Sequence, residues 1–228
     1  MILRTLLGHI CPLCLSKSQH YICLDCQREL PLNSTPCLCC ALPLESETST
    51  CPDCITQPKE FTASVSPLLY CKPTDRLIQQ LKTRQPLTIA RALSPILVEA
   101  IHQRYRDERL PDAMVPVPLH WRKRFLRGFN QSLVLSEDIH RQTGIPIINA
   151  TKAKYRSESQ KLLRRKQRVL SQRKRFSCHL DLNGKHLAVI DDVVTSCSTV
   201  AAITRTLLEA GASRVDVWSL ARTPKPPT

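Results

Sequence analysis

The feature that most restricts what this chain can fold into is the spacing of its cysteines. Eight of the twelve form four Cys-x-x-Cys pairs, Cys11/Cys14, Cys23/Cys26, Cys37/Cys40 and Cys51/Cys54, with eight, ten and ten residues between successive pairs. A Cys-x-x-Cys turn aims two thiolates at one ion, and a second such turn completes a tetrahedron. Four turns predict two Cys₄ zinc sites in a small module over residues 1–58. Pairing in sequence order closes the shortest loops, although interleaved pairing satisfies the same ligand count. Cys39 is the spare, and its exchange with Cys40 also fits the spacing. Disulfide or redox use competes as an explanation for any single pair, but four pairs in register favour metal. All-thiolate sites are normally closed, and His9 and His20 have no ligand spacing, so the zinc is expected to be structural rather than catalytic.

Thiolate-bound metal implies a reducing compartment. Ile2 to Leu7 is a short apolar patch broken by Arg4 and Thr5, without a small-residue cleavage site, so no signal peptide is expected. No window approaches the ~18 apolar residues of a membrane span. A cytoplasmic location is the expectation. The formal net charge is +14; eight thiolates around two Zn²⁺ would bring it to about +10. A chain this basic suits a polyanion, either nucleic acid or a phosphorylated small molecule.

After Gln57-Pro58-Lys59 the chain becomes aliphatic and periodic. Residues 61–70 read as a strand and 75–81 as a helix. Ile89, Leu93, Leu97 and Ile101, spaced four apart, mark a second helix over 87–105 with Pro95 inside it. Met114 to Pro118 reads as a short strand whose prolines keep it at an end or rim. A helix over about 130–142 ends at Gly144, and 145–148 reads as another strand. The clearest unit is last: an apolar strand Leu187–Ile190, a polar turn Asp191–Ser198, a helix 199–210 closed by Gly211, and a strand 215–220. This βαβ unit predicts a parallel sheet flanked by helices, an α/β domain over 59–222. Residues 223–228 read as a disordered tail.

Two adjacent acids after an apolar strand, then small hydroxyl residues opening a helix, divide the labour of binding a sugar phosphate. Asp191 and Asp192 can accept hydrogen bonds from ribose hydroxyls. Backbone N–H groups at the helix start, with the Thr195, Ser196, Ser198 and Thr199 hydroxyls around Cys197, form an anion nest. The plainer alternative is a βα turn with Ser198 as N-cap.

Val189-Ile-Asp-Asp-Val-Val-Thr-Ser-Cys-Ser-Thr199 resembles the phosphoribosyl pyrophosphate loop of type I phosphoribosyltransferases. Val115-Pro-Val-Pro-Leu-His120, followed by Arg127-Gly-Phe-Asn-Gln131, is similar to the signature of the ComF family of competence and DNA-utilisation proteins. The cysteine module and the closing Leu220-Ala-Arg222 fit the same family, so the resemblance covers essentially the whole chain. It implies a type I phosphoribosyltransferase-like sheet preceded by a zinc ribbon. Asp191 and Asp192 would bind ribose, Thr195 to Thr199 would cradle the 5-phosphate, and residues 116–119 would approach pyrophosphate bridged by Mg²⁺. Two departures stand out. Such loops usually read Thr-Thr-Gly where this chain has Thr195-Ser196-Cys197, and Ser171 stands where an Asn is usual.

Two basic stretches remain. Trp121, Phe125 and Phe129 lie four apart among Arg122, Lys123, Arg124 and Arg127. They form either a stacking face for single-stranded bases or rings packed on the sheet beneath solvated charges, and the second is favoured. Residues 152–175 hold eleven Lys and Arg, including Arg164, Arg165 and Arg168, against the single acid Glu158. That segment reads as a solvated, helix-prone hood over a polyphosphate or as a DNA track. The two functional expectations are therefore a phosphoribosyltransferase-like protein acting in uptake or use of external DNA, and a catalytically degenerate fold serving as a single-stranded-DNA or partner-docking module for DNA-uptake proteins.

Overall fold

The computed structural model describes residues 8–45, 48–83, 85–119, 125–153 and 176–225. The basic stretches call for residues outside these limits, among them Trp121, Arg122, Arg124, Arg164, Arg165, Arg168 and Ser171. At its centre is a parallel sheet. Strands β3 (Ser64–Val65) and β4 (Leu68–Leu69) both pair with β9 (Arg214–Arg222), which pairs with β8 (His186–Val194), which pairs with β5 (Ala113–Pro116). Helices α3 (Thr74–Leu81), α4 (Pro86–Arg104), α5 (Gln131–Thr143) and α6 (Ser198–Glu209) flank it. The expected strand over 145–148 is reduced to one bridge, Met114 to Ile147. An antiparallel pairing of β6 (Thr151–Ala153) with β7 (Phe176–Cys178) has no counterpart in the sequence reading, because each strand is too short to show a period.

The two faces of the sheet follow from side-chain alternation along each strand. Ala188 and Ile190 of β8, with Trp218 and Leu220 of β9, pack with Leu77, Leu93, Leu97 and Leu135 of α3, α4 and α5. Leu187, Val189, Val215 and Val217 point the other way, onto Val200, Ile203 and Leu207 of α6. Both faces are covered, which is why Leu187–Ile190 of β8 reads as a continuous apolar run rather than an alternating one. At the N-terminal ends of the strands, buried Asp216 accepts from the Ala63 N–H at 3.1 Å and Tyr105 Oη at 2.6 Å, and lies 2.7 Å from His186 Nε2. Burial opposes ionisation there, yet hydrogen bonds from His186, Tyr105 and Arg214 hold the carboxyl below its usual range. This network locks the sheet's lower edge.

The cysteine segment contains β1 (His9–Ile10), β2 (Lys17–Ser18), α1 (Leu24–Arg28) and α2 (Pro52–Thr56). Cys11, Ile22, Cys26 and Leu30 join the core on the α3/α4 face, whereas Cys37, Cys40, Cys51 and Cys54 join the core on the α6 face. Between them the chain crosses the free edge of the sheet: Leu32 bridges Leu68, the Asn33 N–H donates to Pro67 O at 2.7 Å, and the Leu69 N–H donates to Pro31 O at 2.8 Å. The crossing covers an edge that would otherwise offer unpaired backbone groups.

Candidate functional site

The four pairs combine in sequence order. The Sγ atoms of Cys11, Cys14, Cys23 and Cys26 lie within 4.8 Å of one another, as do those of Cys37, Cys40, Cys51 and Cys54. Cys14 and Cys23 Sγ are 3.6 Å apart, and Cys40 and Cys51 Sγ 3.7 Å. A tetrahedron with Zn–S of about 2.3 Å has an S···S edge of about 3.8 Å, far longer than a disulfide. Each cluster could therefore hold a zinc ion, and Cys40 rather than Cys39 is the ligand by position. The residue after the second cysteine of one pair in each cluster, Leu15 (φ 65°) and Ala41 (φ 55°), is left-handed. That turn directs backbone N–H groups at sulfur. Against the desolvation of burial, the N–H groups of Cys40, Cys51 and Cys39 draw the Cys37 thiol down to about 7, and Ser16 draws Cys14 down to about 6. Burial pushes the Cys26, Cys40 and Cys54 thiols of the same clusters the other way, so each cluster pairs readily ionised thiols with ones that need the metal's charge to ionise.

The second region of interest lies at the C-terminal ends of β5, β8 and β9, where open α/β sheets bind their ligands. The strand runs further than its apolar stretch: Asp191 and Asp192 continue β8 to Val194, and the turn is confined to 195–197. The acids interrupt the hydrophobic run without interrupting the ladder, because Asp191 still pairs with Ser219. Asp192 is buried, and Lys82 Nζ, just beyond α3, lies 3.0 Å from its Oδ2. Ser132 Oγ, in the first turn of α5, is 3.4 Å from Asp191 Oδ1, which also accepts from the Asp192 N–H at 2.9 Å. Desolvation, and then the charge of Asp192, raise the Asp191 carboxyl well above the usual range. Among the described residues, the ion pair made by these two neighbouring carboxylates is that of Asp192 with part-buried Lys82.

The turn itself carries exposed hydroxyls. Thr195, Ser196 and Ser198 are exposed, and Ser196 Oγ lies 3.0 Å from Ser198 Oγ. Helix α6 begins at Ser198, so Ser198 is not the cap. The N-cap is Cys197, which makes no side-chain capping bond, and the first N–H groups of the helix have no side-chain acceptor from it. Cys197 has φ 61°, the left-handed conformation in which a glycine is at ease and a Cβ is strained. A glycine at this place would carry no such strain. Cys197 is also buried and packs in the same core as the second cysteine cluster.

The two other signature segments meet here. The Val117 N–H donates to Ile190 O at 2.9 Å, placing residues 117–119 beside the acids. Asn130 accepts from the Ser132 N–H at 3.0 Å as N-cap of α5 and donates through Nδ2 to Val117 O at 3.0 Å. One side chain thereby fastens the Val115–Leu119 segment to the Arg127–Gln131 segment. Arg127 donates to Gln131 Oε1 at 3.3 Å. Phe125 is 86% exposed, so it does not pack on the sheet, whereas Phe129 is half-buried. No local pattern marks Lys82 or Ser132, and Arg222, although it stands in the closing Leu220-Ala-Arg222 segment, reaches the site from a distant element and carries no role legible in the sequence. A separate groove of about 860 Å³ between α4 and the crossing at 32–38 contains none of these residues.

No family model matches the chain. It is 35% identical over 220 residues to the DNA utilization protein YhgH of Escherichia coli, covering 94% of this chain and 96% of that one. It is 31% identical over 208 residues to Competence protein F of Haemophilus influenzae, covering 88% and 90%, and 26% identical to Competence protein ComFC of Bacillus subtilis, covering 96% and 80%. Among solved structures, a purine phosphoribosyltransferase from Pyrococcus horikoshii aligns with 60% of this chain and 90% of its own, at a TM-score of 0.36 and 14% identity. The length and level of identity with the first two relatives place this chain in the ComF family.

Proposed function

We propose that the Asp191–Thr199 segment binds a ribose phosphate, with phosphoribosyl pyrophosphate and Mg²⁺ as the best-suited ligand, and that the protein serves the use or uptake of external DNA. The observation that carries the reading is the sequence of groups along one strand end: two adjacent carboxylates, then a turn of exposed hydroxyls, then helix N–H groups without a side-chain cap from Cys197. Asp191 and Asp192 accept from the ribose hydroxyls, with Ser132 orienting Asp191 and Lys82 yielding its place on Asp192. Thr195, Ser196, Ser198 and Thr199 hold the 5-phosphate, and the backbone at 117–119 faces the pyrophosphate. Mg²⁺ would supply charge neutralisation of the pyrophosphate. Transferase activity is the stronger form of this reading.

The metals are read as two structural zinc ions, and residues 1–58, 59–222 and 223–228 as metal module, ligand domain and tail. Thiolate metal sites fit the reducing cytoplasm, and among the described residues no helix is long and apolar enough to cross a membrane. The relatives' names, DNA utilization and competence, support the DNA-related role. Calorimetric titration with phosphoribosyl pyrophosphate and Mg²⁺ tests the reading. We expect saturable binding that is abolished in the Asp191→Ala/Asp192→Ala protein; no binding to the intact protein would sink it.

A second reading has its own observation. Exposed Phe125 beside Arg127 offers a ring to single-stranded bases, and Cys197 strains the phosphate turn. A degenerate fold that binds single-stranded DNA would show affinity falling steeply with salt and weakened by Phe125→Ala. An affinity indifferent to both would remove this alternative.

A further inference from the structure

Arg222, the last residue of β9, is 6% exposed and its guanidinium has no carboxylate partner among the described residues. Its Nε donates to Cys40 O at 2.9 Å. Its Nη1 donates to Val194 O at 3.0 Å, to Thr195 O, and to Thr223 O at 3.2 Å. Its Nη2 lies 3.7 Å from Cys197 Sγ. One planar cation thus joins a ligand residue of the second cysteine cluster to both ends of the 195–197 turn. A buried cation needs a counter-charge. Four thiolates around Zn²⁺ carry two net negative charges, so the filled cluster, whose Cys40 carbonyl the guanidinium touches, would supply it.

We propose that Arg222 is a positioning residue that fixes the 195–197 turn to the second cysteine cluster, so that the turn is ordered for its anion only while that cluster holds metal. The proposal rests on the ribose-phosphate reading for the identity of the anion, but the coupling itself does not. Carbonyls of Val194 and Thr195 are held in the direction that leaves the following N–H groups facing outward. The sulfur of Cys197, the left-handed residue of the turn, lies against the guanidinium and in the same buried core as the cluster. Zinc at Cys11, Cys14, Cys23 and Cys26 has no such path, since that cluster packs on the other face of the sheet. Lysine cannot replace the arginine, because a single ammonium does not span acceptors on three segments.

The test compares full-length proteins by amide hydrogen exchange at residues 195–200, by zinc content, and by affinity for phosphoribosyl pyrophosphate with Mg²⁺. In Arg222→Met, exchange at the turn should be at least tenfold faster, with Arg222→Lys between it and the unaltered protein. Cys54→Ser should lose one zinc and show the same local acceleration. Cys14→Ser should lose one zinc without it. Ligand affinity should fall in the same order. If the unaltered protein binds no ligand, the ribose-phosphate reading fails while exchange still decides the coupling. Unchanged exchange in Arg222→Met, or in Arg222→Lys where the methionine protein does not fold, would overturn the proposal. So would equal acceleration in Cys14→Ser.

Discussion

The two cysteine clusters have the same ligands and nearly the same spacing, yet they sit on opposite faces of one sheet in different surroundings. In the first, Cys14 is exposed and Cys23 half-buried. It is tied to the helices by Gln80 Nε2 donating to Pro12 O at 3.2 Å and by an exposed contact of 3.3 Å between Arg91 and Tyr21. In the second, all four ligands are buried. It is held by Arg222 on Cys40 O, by Asn33 Nδ2 on Ala41 O at 2.8 Å, and by Lys225 at 2.8 Å from Asp53. The four thiolate donors set which metal suits the site; the residues around the ligands set how tightly the site is closed and what it touches.

The comparison breaks most visibly under ligand removal. Cys54→Ser should cost about 4–5 kcal/mol, because it exposes a metal site that is also core. Cys14→Ser should cost about half that, and thermal denaturation of the two proteins would separate them by roughly 5 °C or more. Equal losses would mean that burial does not distinguish the clusters. Release of metal sharpens the same point. A chelator, or acid that protonates the thiolates, should remove zinc from the first cluster before the second, giving two phases of about one zinc each with a metal indicator. A single phase would contradict this.

Within the ligand site the expected effects are smaller. Asp191 has a folded-state carboxyl raised by desolvation and by Asp192, so its contribution favours the fold at low pH and is lost as pH rises through that raised value. Asp191→Asn should therefore stabilise the protein at neutral pH by about 1 kcal/mol, or about 2–4 °C, while weakening ligand binding. A fall in melting temperature would show that the carboxylate pair is structurally needed. Cys197→Gly should change stability least, within about 1 kcal/mol, because relief of left-handed strain offsets the lost buried sulfur. If the strain handicaps phosphate binding, ligand affinity rises in the same variant.

What could be read from the sequence follows from the range of each interaction. The ligand pairs, α6, Gly144 with its φ of 74°, and the buried face of α4 are local patterns, and they appear where spacing places them. Strand β8 was read as ending at Ile190 because Asp191 and Asp192 break the apolar run, whereas pairing with β9 carries the strand to Val194. Lys82 left no comparable signal, and Asn130 and Arg222, although they stand in segments that carry the family resemblance, have no role that the local pattern states. Each is a polar residue whose meaning comes from a partner many residues away: Asp192 for Lys82, Val117 for Asn130, and Cys40 for Arg222. Sequence likewise placed both clusters in one module without showing that the sheet separates them.

The account turns on where a ribose phosphate binds, and hydrogen exchange with and without phosphoribosyl pyrophosphate and Mg²⁺ locates that directly. Protection should appear at residues 191–200 and 117–119, at the C-terminal ends of β8 and β5, and leave the first cysteine cluster unchanged. Saturable binding with protection elsewhere, or with none at 195–200, would contradict it.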